Sequence, residues 1–315
     1  MYGAAHSPSK TASRMRSFAH LTFLLLLPLG TARSQALVGR SDAVFTWRGA
    51  LRAGAQLTVK NFNGPIELRG GDAAQVEFRA EKRTERGGGA IEDVAFDIQE
   101  DGSGDVTICA VFRGNNPCDR WRDHDDDNGY RRWVTVAMRI TVPRGARVRA
   151  VTGNGDLTVE NVHGDVSATS GNGRVHVGAS EGTVRVSTGN GDVDVRDAHA
   201  SVHVTTGNGR VTVGTNEGPV DARTGNGDIE VTMTKLRAAE DMTFSTGSGD
   251  VRVTLPAGYS GELDASTGNG HIESDFELKV QGRMNPRRVR ATIGDGGPRL
   301  RLSTGNGRLE IRKKG

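Results

Sequence analysis

The sequence predicts an all-β protein, a parallel β-solenoid of 18-residue coils with an irregular β region capping its N-terminal end. Three observations predict this fold. A Thr/Ser-Gly-Asn-Gly-Asp/Arg phrase begins at positions 152, 170, 188, 206 and 224, so its copies are 18 residues apart. Glycines recur on a nine-residue grid inside this period, with Ala200 in the one gap. Small aliphatic residues follow each grid point at the two-residue spacing of a strand.

Each nine-residue unit is predicted to be one short strand followed by a corner. Val184 and Val186 flank Arg185, which places the two valines on one face of the strand and the arginine on the other. Valine favours strands. Glycine suits the corner because, without a Cβ, it can adopt positive φ. Two such units, one strand each, make one 18-residue coil.

A single coil cannot be stable alone. It buries roughly four aliphatic side chains, each worth about 1.5–3 kcal/mol. Ordering its backbone costs about 1–2 kcal/mol per residue. Stacking supplies the missing backbone hydrogen bonds and a continuous core, so the unit must repeat.

Stacked coils predict columns of equivalent side chains about 4.8 Å apart. The asparagine of the phrase forms one column, in which amide groups can both donate and accept hydrogen bonds. The residue after the second glycine forms another, in which acidic and basic residues alternate, so that like charges are not neighbours. The predicted columns are Asn154, Asn172, Asn190, Asn208 and Asn226, and Asp156, Arg174, Asp192, Arg210 and Asp228.

The chain is predicted to have three parts. Residues 1–36 resemble a secretory signal peptide, since basic residues precede the apolar run 18–29 and small residues precede a cut after Ala36. A membrane anchor needs about 20 apolar residues, and this run is shorter. Residues 37–150 contain irregularly spaced strand-like runs that cap the solenoid, because open solenoid ends expose strand edges. Residues 151–315 form the repeat region.

Export to the periplasm, the outer surface or the medium follows from the signal peptide. No second apolar run follows, so we expect no transmembrane segment in the mature chain. The sequence has two cysteines, Cys109 and Cys118. In an oxidising compartment such a close pair predicts a disulfide. Two free thiols or half of a metal site are the alternatives.

Charge indicates no nucleic-acid partner. The sequence has 41 basic and 38 acidic residues, and four of the basic ones lie within the predicted signal peptide. Arginine and aspartate are interspersed along the repeats, whereas nucleic-acid binding usually needs a concentrated basic face.

The repeats resemble a bacterial β-repeat family called DUF4097, whose domain is described as a proposed adhesin. The phrase 54–68, which contains Leu57, Val59, Asn61 and Gly64, is similar to the N-terminal phrase of that family. Residues 293–311 are similar to its C-terminal phrase. The resemblance covers roughly 45–312. It implies a β-repeat fold and offers no catalytic residues to carry over.

The repeats show no constellation for catalysis. A catalytic site needs a nucleophile with its base, or paired carboxylates in one cleft, whereas the polar residues here form ladders. We therefore predict a non-enzymatic protein without cofactor or metal. Its partner is unknown, with envelope or cell-surface components as the expected class, and the protein is interpreted as an adhesin or interaction scaffold.

One loop indicates an alternative. Residues 123–129 resemble the start of an EF-hand calcium loop, but Asn128 stands where the turn glycine belongs and Val134 where the closing glutamate belongs. Trp121 and Trp133 flank this loop. A ligand-, calcium- or polysaccharide-binding solenoid, even an enzymatic one, with its site near residues 119–133 is the alternative function.

Overall fold

The structure is a computed structural model that describes residues 33–34, 37–84, 89–112, 134–215, 217–236, 240–282 and 285–315. In these ranges the protein is built of β-strands, and its one helical element is a single 3₁₀ turn at Ile91–Asp93. The predicted solenoid fold is confirmed. The predicted signal peptide lies outside the described residues apart from Arg33–Ser34. Within the described ranges, no helix is long and apolar enough to cross a membrane.

Twenty-six strands follow one another in the described ranges. Those that precede the strict repeats are β1 (Arg33–Ser34), β2 (Val44–Ala50), β3 (Gln56–Asn63), β4 (Ile66–Gly71), β5 (Gln75–Thr84), β6 (Val94–Glu100), β7 (Val106–Phe112) and β8 (Val134–Pro143). Those of the strict repeats are β9 (Arg147–Asn154), β10 (Leu157–Glu160), β11 (Val166–Asn172), β12 (Val175–Val177), β13 (Val184–Asn190), β14 (Val193–Ala198), β15 (Val202–Asn208), β16 (Val211–Thr215), β17 (Val220–Asn226) and β18 (Ile229–Met233). Those that follow are β19 (Met242–Ser248), β20 (Val251–Leu255), β21 (Gly261–Asn269), β22 (Ile272–Ser274), β23 (Leu278–Val280), β24 (Arg288–Ile293), β25 (Arg299–Asn306) and β26 (Leu309–Lys313).

The strands form two long sheets, because each coil gives one strand to each sheet. Sheet A has 14 strands in the order β1-β6-β7-β3-β9-β11-β13-β15-β17-β19-β25-β21-β24-β23. Sheet B has 12 strands in the order β2-β5-β8-β4-β10-β12-β14-β16-β18-β20-β26-β22. From β9 to β18 neighbouring strands are parallel and paired 18 residues apart, as Val184 is with Val166 and Val202. The predicted coil length is therefore confirmed.

The core lies between the two sheets. Val184 and Val186 of sheet A and Val193 and Val195 of sheet B are 0–4% exposed, whereas Arg185 between the first pair is exposed. The same alternation runs through the stack, so that the inward aliphatic side chains of successive coils form one continuous cluster. Backbone pairing and apolar burial thus reinforce each other in every coil.

The coils do not stack in the order of the chain at the N-terminal end. Strands β3 and β4 form a regular coil that pairs in parallel with β9 and β10 on one side. On the other side, the same coil pairs in parallel with β7 and β8, which come later in the chain. The N-terminal region, irregular in its spacing, therefore contributes one regular coil to the stack.

The order of the C-terminal coils is also rearranged. Strand β25 lies between β19 and β21 and pairs in parallel with both. Strand β26 likewise lies between β20 and β22. The segment from Arg299 to Lys313 is therefore an interior layer of the stack.

Antiparallel strands close the stack at both ends. At one end β2, β5 and β8 pair antiparallel in sheet B, and β6 pairs antiparallel with β7 in sheet A. At the other end β24 pairs antiparallel with β21 and with β23. These strands cover the edges that an open parallel solenoid would expose at both ends of sheet A and at the N-terminal end of sheet B. The other end of sheet B is the parallel strand β22.

A buried lysine ties the N-terminal cap together. The side chain of Lys82 donates to the carbonyl oxygens of Gly39, Arg40, Ile91 and Val94 at 2.7, 2.8, 2.9 and 3.0 Å. Lys82 is 3% exposed. Its ammonium group therefore joins two separate segments, 39–40 and 91–94, to strand β5.

Replacing Lys82 by methionine is expected to lower the free energy of unfolding by about 3 kcal/mol or more. Methionine fills similar space but leaves four carbonyl groups without this donor, and each buried polar group left unpaired costs about 1–3 kcal/mol. Urea unfolding of the two chains measures the difference. The exposed neighbour Arg83→Met is the control and should change stability by less than about 0.5 kcal/mol. Equal stability of K82M and the parent would contradict this account.

Candidate functional site

The repeated corner holds neighbouring coils together through a buried hydroxyl. The Thr188 hydroxyl donates to the carbonyl oxygen of Gly173 in the preceding coil at 3.1 Å. Ser170, Thr206 and Thr224 make the equivalent bond at 3.0–3.2 Å. Because these hydroxyls are 2–6% exposed, they serve the stack and are not available to a ligand.

The asparagine column forms a continuous hydrogen-bonded ladder. The side-chain Nδ2 of Asn172 donates to Oδ1 of Asn154 at 2.8 Å. The same bond, also 2.8 Å, links Asn190 to Asn172, Asn208 to Asn190 and Asn226 to Asn208. Ser248 occupies the next place in register after Asn226, and the ladder resumes between Asn269 and Asn306.

The alternating charge column works mainly through the backbone. Oδ1 of Asp156 accepts the backbone N–H of Arg174 at 2.9 Å, and Asp192 accepts that of Arg210 at 2.8 Å. The side-chain ion pairs are longer, 3.5 Å between Arg174 and Asp156 and 3.7 Å between Arg210 and Asp228. Exposed pairs of this kind contribute little, so the aspartates stabilise the stack chiefly by capping the next coil.

Sequence analysis missed one member of the corner series. Asn61-Phe62-Asn63-Gly64 occupies the place of Thr-Gly-Asn-Gly, because Asn61 pairs in register with Thr152 and Asn63 with Asn154. The side chain of Asn61 is fully buried and donates to the carbonyl oxygens of Gly64 and Val136 at 3.1 and 2.8 Å. The shared Asn-Gly pair at the end of the phrase was the available signal, but it lies 91 residues before the first strict copy.

The outer face of sheet B carries a column in which charges are neutralised between coils. His176 lies between Glu160 at 3.0 Å and Asp194 at 3.2 Å, and Asp194 also contacts Arg196 at 2.7 Å. Further along, Glu310 accepts from Arg252 at 2.9 Å. Much of this face is therefore committed to contacts within the stack.

Glu310 is expected to make the C-terminal coils sensitive to acid. Its side chain is 3% exposed, and the hydrogen bond from Arg252, assisted by Arg312, lowers the pKa of its carboxyl group. Since the folded-state pKa lies below the ordinary value of about 4.3, the stabilisation is complete above that value and is lost as pH falls through the folded pKa. We expect the Tm to be nearly constant above about pH 5 and to fall at lower pH.

Glu310→Gln should reduce this acid dependence, because the amide cannot titrate. Its Tm should be lower than that of the parent at pH 7, and its fall between about pH 5 and 3 should be shallower. Glu230→Gln, on the other side of Arg252 and exposed, is the matched control. Parallel Tm profiles of the parent and E310Q would contradict the assignment.

A family match accompanies this geometry. Residues 55–312 match the Toastrack DUF4097 family, which is most of the chain. The chain belongs to the Toastrack DUF4097 family. The resemblance inferred from its repeats is confirmed. No curated protein matches the Toastrack chain.

Two solved structures resemble the Toastrack chain at low identity. One is a crystal structure of a proposed cell adhesion protein from Clostridium sporogenes, with 10% identity, a TM-score of 0.26, and a match covering 86% of this chain and 100% of that one. The other is a proposed adhesin from Bacteroides fragilis, with 12% identity, a TM-score of 0.45, and a match covering 87% of this chain and 99% of that one. Similarity at this level carries no functional information, so the geometry of the Toastrack chain itself has to indicate its function.

The alternative site of the Toastrack chain lies outside the described residues. Residues 113–133, which include Cys118 and the acidic loop, are not among them, so the loop site and the Cys109–Cys118 disulfide stay predictions. Cys109 itself is buried in β7 against Val111 and Leu37. In the described ranges, no three His, Cys, Asp or Glu side chains come together as a metal site would require.

Proposed function

We propose that this Toastrack protein is an exported, non-catalytic protein of the cell envelope that presents the flat faces of its solenoid to a partner on an envelope or cell surface. One observation carries the proposal. The buried hydroxyl and the asparagine amide of each strict repeat, and the capping aspartate of every second one, are engaged with a neighbouring coil. The repeat is thus organised as a rigid frame, because its recurring polar groups hold neighbouring coils together instead of forming a reaction centre.

A rigid frame with repeated faces suits binding to extended surfaces. Equivalent side chains recur at the strand spacing of about 4.8 Å, so a face can make many weak contacts in register with a long partner. Multiple weak contacts on one rigid body raise the overall affinity without any single deep pocket. The 18-residue repeat predicted from the sequence produces such regularly spaced side chains, and the predicted signal peptide indicates export.

Export and adhesion can be tested with the full-length chain expressed in a bacterial host. Cell fractionation and N-terminal sequencing should find the protein outside the cytoplasm and cut after Ala36. The exported protein, labelled with a fluorophore, should bind saturably to bacterial cells. Recovery of the intact precursor in the cytoplasm, or binding no stronger than that of an unrelated exported protein, would overturn the proposal.

A variant lacking residues 119–129 separates the frame from the loop. We expect it to be exported and to adhere like the parent, because the proposed contacts belong to the sheets. Loss of adhesion together with loss of saturable calcium or small-ligand binding would instead place the function in the loop.

A further inference from the structure

We infer that the outer face of sheet A binds an acidic polysaccharide through a row of regularly spaced arginines. The row consists of Arg149 on β9, Arg185 on β13, Arg223 on β17, Arg301 on β25 and Arg290 on β24. This inference rests on the proposed function and names the chemistry of its partner. The evidence is the spacing, the pairing state and the surroundings of these five side chains.

The arginines occupy every second strand of sheet A. In the order β9-β11-β13-β15-β17-β19-β25-β21-β24 they fall on the first, third, fifth, seventh and ninth strands. Two strand spacings are about 10 Å, so successive arginines of the row are about 10 Å apart along the stack. This interval is close to the length of a disaccharide unit in an extended polysaccharide. Arg223 lies two residues to the side of the others, because Asp221 occupies the position in register with Arg185.

The first three arginines are not neutralised. Arg149, Arg185 and Arg223 are exposed and make no ion pair with any residue that the structure describes. Arg290 and Arg301 flank Asp264, whose oxygens lie 3.7 Å from each guanidinium group. This pattern differs from the column on sheet B, where Arg252 and Arg312 contact Glu310 at 2.9 and 3.0 Å.

Charge is unbalanced in the middle of this face. Two outward columns in register, followed from β3 to β24, contain seven lysine and arginine side chains, one histidine and two carboxylates. The first column consists of Thr58, Arg149, Ser167, Arg185, His203, Asp221, Thr243, Arg301, Asp264 and Arg290. The second column consists of Lys60, Val151, Thr169, Ser187, Thr205, Arg223, Ser245, Ser303, Ser266 and Arg288. One of the two carboxylates, Asp221, is already engaged with the backbone N–H of Thr243 at 2.9 Å.

Hydroxyl groups lie between the arginines. The strands that separate them carry Ser167 and Thr169, Thr205, and Thr243 and Ser245 on the outer face. Guanidinium groups bind carboxylates with two parallel hydrogen bonds, and hydroxyls can donate to and accept from sugar hydroxyls. The face thus matches a polymer that is rich in hydroxyls and carries an anionic group at regular intervals.

Other polyanions fit this face less well. Binding at a bilayer surface uses exposed aliphatic and aromatic side chains, and Val44 on sheet B is the one large hydrophobic side chain exposed among the described residues. Single-stranded nucleic acids stack their bases on aromatic side chains, and neither of the two columns contains a phenylalanine, tyrosine or tryptophan. An acidic polysaccharide needs neither feature.

The test measures binding of the full exported protein to hyaluronate, which carries one carboxylate per disaccharide. Uncharged dextran, anionic phosphatidylglycerol vesicles and duplex DNA are the comparison probes. We expect saturable hyaluronate binding that weakens as salt is raised, and no binding to dextran. Equal or stronger binding to the vesicles or to DNA, or no hyaluronate binding at all, would overturn the inference.

A triple variant tests the row itself. Arg149→Ser, Arg185→Ser and Arg223→Ser together should weaken hyaluronate binding by about tenfold or more, since three charge-assisted contacts are lost. Serine is suitable because Ser167 and Ser187 already occupy equivalent positions in the two columns. The matched control combines Arg196→Ser on sheet B with Arg174→Ser and Arg210→Ser in the corners that precede β12 and β16. It changes the net charge equally and should retain the affinity within about twofold.

The outcomes separate this inference from the proposed function. Equal losses in the two triple variants would show that net charge alone drives binding and would overturn the row. Undiminished adhesion to cells by a protein that does not bind hyaluronate would overturn the inference and leave the proposed function standing. Failure of the parent to be exported or to adhere would overturn the proposed function, while hyaluronate binding by the purified chain would still test the row.

Discussion

Val186→Asp is expected to unfold the central coils. Val186 is 4% exposed and lies in register with Ala168 and Val204 in the core of sheet A. An aspartate there buries a carboxylate with no partner, which costs several kcal/mol, and removes a valine worth about 1.5–3 kcal/mol. Since whole domains are stable by only about 5–15 kcal/mol, this single change should remove most or all of the stability.

Ser187→Asp is the matched control for Val186→Asp. It introduces the same charge one residue away on the same strand, but Ser187 is exposed on the outer face. We expect its Tm to stay within a few degrees of that of the parent, whereas V186D should show no cooperative melting transition by circular dichroism. A cooperative transition of V186D near the parent Tm would show that this side chain does not pack inward.

Gly191→Ala is expected to have an effect of similar size through the backbone. Gly191 has φ of +152°, a conformation that costs a side-chain-bearing residue energy. A Cβ at this position would overlap the carbonyl group of Gly173 in the adjoining coil. The coils are held at strand spacing by continuous hydrogen bonds, so they cannot move apart locally. We expect the free energy of unfolding to fall by more than about 4 kcal/mol, a loss that only severe substitutions cause.

Gly145→Ala serves as the comparison for Gly191→Ala. Gly145 lies in the turn between β8 and β9, with no neighbouring atom near the position of an added Cβ. Its substitution should be neutral or slightly stabilising, because alanine restricts the unfolded chain. Urea unfolding of the two variants measures both effects. Similar stabilities would mean that the corner tolerates a side chain and that the coil spacing is not fixed by the second glycine.

The strict repeats could be predicted from the sequence because each of those coils stacks on its neighbour in the chain. The 18-residue period fixes which residues meet, and alternation within each strand fixes which side chains point inward. The positions of Asn190 and Val186 follow from these two facts alone. The local pattern is repeated often enough that no long-range information is needed.

The order of the coils at both ends could not be predicted in this way. A strand such as β25 carries the same alternation as β21, and its backbone N–H and C=O groups can pair with either neighbour. Which coil lies next to which is decided by the connecting segments and by total burial, properties that a repeat pattern does not encode. The same limitation hid the corner at Asn61, which belongs beside Thr152 in space and far from it in sequence.

The proposed binding face was hidden for a related reason. Along the chain, basic and acidic residues such as Arg185 and Asp194 are interspersed, so their charges sum to nearly zero. The two residues nevertheless lie on different sheets. Folding places such charges on different surfaces. The arginine row lies on sheet A, whereas carboxylates such as Glu160 and Asp194 contact basic side chains on sheet B. Counting charges along the sequence averages over two surfaces that a partner would meet separately.

The interior position of residues 299–313 makes this solenoid different from a rod that grows by adding layers at its tip. A chain that stops before residue 299 would lack the layer between β19–β20 and β21–β22. Both flanking coils would then expose unpaired backbone edges, which readily pair with other chains. Incomplete polypeptides would therefore be prone to aggregate instead of forming a shorter, closed particle. Solubility is thereby expected to depend on synthesis of the whole repeat region.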